Sequence, residues 1–181
     1  MPAQQIIVII SALCLIRVPG VAQSMQFTHA SYRKPGSGEV HAAAGVSHGI
    51  RLGGMYFASH TWAVESSFGY IGLTVSALPP ATKSRLDGMA LSLGADYFVH
   101  GSNDISSFVS AVMTYMRSLD HYYDRHLERL AFSAMFGGDM YVTKNMNAFF
   151  RIGPSLHVLL GEQRSDYQLF LNFDGGIGWA L

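Results

Sequence analysis

QLFLNFDGGIGWAL, residues 168–181, decides the fold. In an extended chain Leu169, Leu171, Phe173, Gly175, Ile177, Trp179 and Leu181 fall on one face. Gln168, Phe170, Asn172, Asp174, Gly176, Gly178 and Ala180 fall on the other. A period of two is the signature of a β-strand. The stretch is longer than the ~5–6 residues of an ordinary globular strand and reaches the ~9–11 that a tilted strand needs to cross a membrane.

The same alternation runs back through the chain to Glu39. Eight strands are predicted: Glu39–Ser47, Ile50–Ala58, Trp62–Leu73, Gly88–Val99, Ile105–Leu119, Leu127–Val142, Met146–Leu159 and Gln168–Leu181. In the seventh, Ala148, Phe150, Ile152, Pro154, Leu156 and Val158 oppose Asn147, Phe149, Arg151, Gly153, Ser155 and His157. In the fourth, Met89, Leu91, Leu93, Ala95, Tyr97 and Val99 oppose Ala90, Ser92, Gly94, Asp96 and Phe98. The fifth is less regular and is read with Val109, Ala111, Met113 and Tyr115 outward. The connections at Ser59-His60, His100–Asp104 and Thr143–Asn145 read as short, and those at Val75–Asp87, Asp120–His126 and Leu160–Tyr167 as longer. Pro79-Pro80 and Asp87-Gly88 mark the second long connection as turn-rich. The first hairpin, at His48-Gly49, is tight although it falls on the long side. Short turns at one end and longer loops at the other are the habit of an outer-membrane barrel.

Charged residues make up 13% of the chain, against about 25% in a soluble domain. The minority face carries Arg51, Glu65, Asp96, Arg129, Asp139, Arg151 and Asp174, in phase with glycines such as Gly53, Gly94 and Gly178. An arginine facing lipid at mid-membrane costs about 2–4 kcal/mol. Turned inward, opposite signs can pair in a lumen that eight strands make just wide enough for side chains to fill. The expectation is an all-β, eight-stranded antiparallel up-and-down transmembrane barrel plugged by a charged network. Tyr56, Trp62, Tyr97, Phe150 and Trp179 lie on the apolar face towards strand ends, as membrane-interface aromatics do. The alternative is a soluble, lipocalin-like ligand-binding barrel that buries the apolar face. Its exposed face would then be mainly Gly, Ala and Ser.

Upstream, Ile6–Ile16 is an apolar run of 11 residues, the length of a signal-peptide core and too short for a spanning helix. Pro19-Gly20 ends it and Val21-Ala22-Gln23 offers a cleavage region. The reading is a signal peptide over residues 1–23, a lead-in over 24–38 that is flexible or begins a longer first strand, and the barrel over 39–181. Cys14 is the only cysteine, so removal of the signal leaves no thiol for a disulfide or a thiolate metal site.

Residues 39–181 resemble the small outer-membrane β-barrels of the OmpA/OmpX type. The resemblance is carried by the tight first hairpin running into IRLGGMYF (50–57), the short turn before WAVE (62–65), and the final LFLNFDGGIGWAL (169–181). It implies outer-membrane lipid as surroundings and recognition of the last strand by the barrel-assembly machinery. In that family the strand ends on an aromatic; here Leu181 takes that place. It also implies a surface partner at the long loops as one role among several, since fold alone does not choose a function.

No enzyme is demanded. Ser155 and His157 share the inward face, which suggests a lipid-modifying hydrolase as the alternative function. Residues two apart on a strand are about 6–7 Å apart, however, too far for a direct hydrogen bond. His121, Asp124 and His126 crowd one loop without the spacing of an established metal motif. No phosphate loop, dinucleotide fingerprint or Cys-His pattern occurs, and no basic stripe suggests nucleic acid. No cofactor and no metal are expected.

Overall fold

The computed structural model describes residues 33–46, 49–75, 84–99, 105–122, 125–143, 145–160 and 167–181. The signal, residues 24–32, Pro79-Pro80, Asp124 and the side chains of His121 and His126 lie outside the described residues. Eight strands follow one another: β1 (Gly38–Gly45), β2 (Gly49–Phe57), β3 (Trp62–Val75), β4 (Ser84–Val99), β5 (Ile105–Tyr122), β6 (Arg125–Tyr141), β7 (Met146–Leu160) and β8 (Tyr167–Ala180). Each pairs antiparallel with its sequence neighbours, and β8 pairs with β1 to close the barrel.

Closure is staggered. Partners followed from Gly38 run through Tyr56, Val64, Ala95 and Ala111 to Ala134, whose place opposite Pro154 follows from the flanking pairs, and then to Leu171. Leu171 lies three residues before Asp174, the partner of Gly45. The circuit therefore returns to the first strand's line ten residues beyond its start. With about 3.3 Å per residue along a strand and about 4.8 Å between strands, this stagger tilts the strands by roughly 40°.

Through the middle of the wall, side chains in phase with Asp174 and Arg151 turn inward and those in phase with Leu171 and Leu93 turn outward; at the start of β8 the contrast ends, since Gln168 and Phe170 are exposed too. Asp174 is 0% and Arg151 1% exposed, whereas Leu171 is 69% and Leu93 51% exposed. The outer wall is thus a belt of Leu, Val, Ile, Phe and Met, which only a lipid solvent accommodates over such an area. A soluble barrel would show the reverse arrangement, and that alternative is set aside. The less regular β5 keeps the expected phase: Ser110, Val112 and Thr114 are buried while Val109, Ala111 and Met113 are exposed.

The interior is layered. Towards the short-turn end Phe57, Ala63, Phe98 and Phe108 pack together, with Met55 and Phe149 against them. Towards the other end Ile71, Ala90, Met116 and Ala131 form a second apolar cluster with Leu127. Between the two lie Arg51, Glu65, Asp96, Arg151 and Asp174 and a tier of hydroxyls. Ser92 and Thr114 are 2.9 Å apart, and Ser133 and Ser155 are 2.8 Å apart.

Two expectations change. Asp120–His126 is no long loop: β5 and β6 continue to Tyr122 and Arg125, which are ladder partners, after a register shift between Arg117 and His121. Asp87-Gly88 is no turn either, because Asp87 pairs with Gly72 and Gly88 with Ile71. In both places a neighbouring strand offers backbone partners, and pairing overrides local turn propensity. Strand therefore supplies height at that end. Ahead of β1, Gly36 donates to Phe57 O at 2.9 Å and Phe57 to Ser37 O at 3.0 Å, which carries the β1–β2 ladder past Gly38.

Candidate functional site

The chemistry-bearing groups meet inside the barrel. Six of the seven charged residues expected there are buried: Arg51, Glu65, Asp96, Asp139, Arg151 and Asp174. Arg151 is the hub. Its Nε donates to Asp174 Oδ2 at 2.8 Å, and its Nη1 donates to Glu65 Oε1 at 2.8 Å and to Ser110 Oγ at 3.2 Å. Asp96 Oδ1 stands 3.7 Å from the same Nη1 and accepts from Ser110 Oγ. Arg51 Nη2 also reaches Asp174 Oδ2. Five strands, β2, β3, β4, β7 and β8, thus bring five ionisable groups to one level, and the apolar clusters above and below keep water from screening them.

Glycine makes the space. A Cβ on Gly94 would stand 2.9 Å from Glu65 Cγ, and one on Gly178 would collide with the Glu39 carboxylate and Asn147 Oδ1. The in-phase glycines of the sequence are therefore the seats of the long charged side chains.

The seventh residue, Arg129, departs from the expected network. It is only half-buried. Its ladder partners are Met116 and Leu159, which puts it at the long-loop end beside His157, above the apolar cluster and far from Asp174. Its phase is inward, as its sequence position implies; its height along the axis separates it.

Sequence reasoning missed three groups. Glu39 and His41 are buried on β1, and Asn147 Nδ2 donates to Glu39 Oε2 at 3.2 Å. His41 packs edge-on to Phe149, with ring centroids 5.8 Å apart. Their signal was available, since both stand in phase with inward-facing Gly45. Arg33 had no signal, because it precedes the first strand and has no phase. It is buried, pairs with Asp139 and donates from Nη1 to Ser106 Oγ at 2.7 Å.

Ser155 and His157 are both buried and inward, but they do not meet. Ser155 Oγ bonds to Ser133 Oγ at 2.8 Å. His157 packs against the Phe170 ring at 4.8 Å, and neither of its ring nitrogens has a hydrogen-bond partner. The five boundary aromatics, Tyr56, Trp62, Tyr97, Phe150 and Trp179, are all exposed on the outer wall. Trp62 and Tyr97 are ladder partners with ring centroids 5.0 Å apart at the short-turn end. Among the described residues no cluster of three metal-binding side chains occurs.

No protein-family model and no curated protein matches the chain in sequence. Solved structures do match in shape. The N-terminal β-barrel domain of Pseudomonas aeruginosa OprF shares 19% identity, with 81% of this chain and 98% of that one covered and a TM-score of 0.49. Neisserial surface protein A shares 12% identity over 79% of this chain and 94% of that one, with a TM-score of 0.51. The Yersinia pestis outer membrane protein Ail in a phospholipid nanodisc shares 13% over 81% and 99%, with a TM-score of 0.41. At these identities the likeness is one of fold. With an apolar belt outside, ionised groups inside and a closed ring of eight staggered strands, the chain is a transmembrane β-barrel of the outer-membrane type, in the fold of the small OmpA/OmpX-like barrels.

Proposed function

We propose that this barrel serves the outer membrane as a structural and surface-contact protein, and that its lumen conducts nothing. The observation that carries the reading is the filled interior, in which an ion-paired level is closed off by an apolar cluster on each side. A permeant ion would have to break paired charges in a dry environment, where removing one partner of a buried pair costs about 3–5 kcal/mol. Reconstitution in planar bilayers tests this. No steady conductance is expected at moderate voltage, and a reproducible open level would overturn the reading.

The strands that stand tall at the long-loop end support a role in contact beyond the membrane. β5 and β6 rise together to the ladder pair Tyr122 and Arg125. Residues 1–23 act as a cleaved export signal in this reading, which N-terminal sequencing of the mature protein checks. The apolar outward run of β8 is what the barrel-assembly machinery would bind.

A further inference from the structure

Arg33 is not part of the wall. It precedes β1, whose ladder partners are β2 and β8. Its guanidinium nevertheless lies against β4, β5 and β6, on other strands of the ring. Nη1 donates to Ser106 Oγ at 2.7 Å, Nη2 pairs with Asp139, and Cζ stands 4.1 Å over the centre of the Phe98 ring, with the Tyr141 ring at 6.0 Å. The backbone that carries it is braced. Ser37 N donates to Lys34 O at 2.9 Å, Ser37 Oγ donates to the same oxygen at 2.7 Å, and Gly36 takes the left-handed φ of 87° that lets the chain double back. Lys34, next in sequence, is exposed while Arg33 is buried.

We propose that the short-turn mouth of the lumen is a guanidinium-binding site, filled in cis by Arg33, and that residues 33–37 are the strap that keeps it filled. The cradle matches that ion in particular. A carboxylate meets one nitrogen, a hydroxyl meets another, and a phenyl face lies under the plane. A compact ammonium meets the charge but not the plane. Asp139 also lines a cavity of about 20 Å³ with Glu39 and Asn147 among others, and Asp139 Oδ1 and Asn147 Oδ1 are buried without a hydrogen-bond partner. With Arg33 withdrawn, Asp139 would lose its ion-pair partner, and the site would keep its demand for a planar cation.

Two measurements on the refolded full barrel test this. Trypsin cleaves after Arg33 only when that side chain leaves its cradle. Cleavage at Arg33–Lys34, followed by mass spectrometry, is expected to be about tenfold faster in Asp139→Asn, which weakens one charge-assisted bond; Ser106→Ala, which keeps both charges, is the milder second variant. Wild type cut as fast as either variant overturns the strap. In the second measurement Arg33→Ala is heated with millimolar methylguanidinium or methylammonium at equal ionic strength. Methylguanidinium should raise the melting temperature of the variant and leave wild type unmoved. Equal effects of the two cations, or an equal rise in wild type, overturn the guanidinium site.

Discussion

Arg151 and Asp174 are direct partners in the β7–β8 ladder, and across that pairing Arg151 Nε donates to Asp174 Oδ2 at 2.8 Å. One pair of residues thereby fixes register and charge together, because a one-residue slip of β8 would turn Asp174 to the lipid and leave Arg151 inside without it. Replacing Arg151 by Met leaves Glu65, Asp96 and Asp174 without their shared cation. Urea unfolding in lipid vesicles should show a loss of about 3–5 kcal/mol. Arg51→Met, which removes an ion pair to Asp174 alone, should lose less. Equal stability of Arg151→Met and wild type would refute the hub.

The outer wall should punish charge according to depth. Leu93→Arg, in the middle of the belt and paired with Ser66 and Met113, is expected to cost about 2–4 kcal/mol. Val99→Arg, at the short-turn end of β4, should cost about 0–1 kcal/mol. Both residues are exposed to about the same degree, so a soluble barrel would tolerate both alike. Folding titrations of the two variants distinguish the cases.

Glycine substitutions should separate by face. A Cβ on inward-facing Gly153 would run into the backbone of β6 at Ala134 and Met135, whereas one on outward-facing Gly54 meets only Glu39 O, at 3.5 Å. Gly153→Ala is expected to lose about 1–3 kcal/mol through overpacking. Gly54→Ala should be neutral or gain a few tenths of a kcal/mol by restricting the unfolded chain. Parallel urea curves report both.

The chain has two tryptophans, Trp62 and Trp179, and both are exposed on the outer wall near the short-turn end. In vesicles of brominated lipid, bromines near the headgroup should quench their fluorescence more than bromines near the bilayer centre. Stronger quenching from the centre would remove these residues from the interface.

The wall was legible in the sequence because its physics is periodic. Lipid outside and charge inside imposed a strict period of two, so the faces of β4, β7 and β8 follow from Leu93, Ile152 and Leu171 alone. Phase also placed Arg51, Asp96 and Arg151 in the lumen. It could not give height along the axis, which depends on stagger between distant strands, and so Arg129 was grouped with residues that it does not approach. Turn residues misled where a neighbouring strand overruled them, at Asp87-Gly88 and around Asp120. Arg33 was illegible for a different reason: its contacts are set by a doubled-back segment outside the pattern.

Asp174 accepts from Arg151 on the adjacent strand and from Arg51 on β2, which lies beyond the junction of the last strand with the first. A sheet that had zipped all eight strands but not yet joined its two margins would hold only the first of these bonds. The second becomes available only when the ring is complete. The carboxylate of Asp174 thus acts as a clasp, rewarding the finished circle over every open precursor.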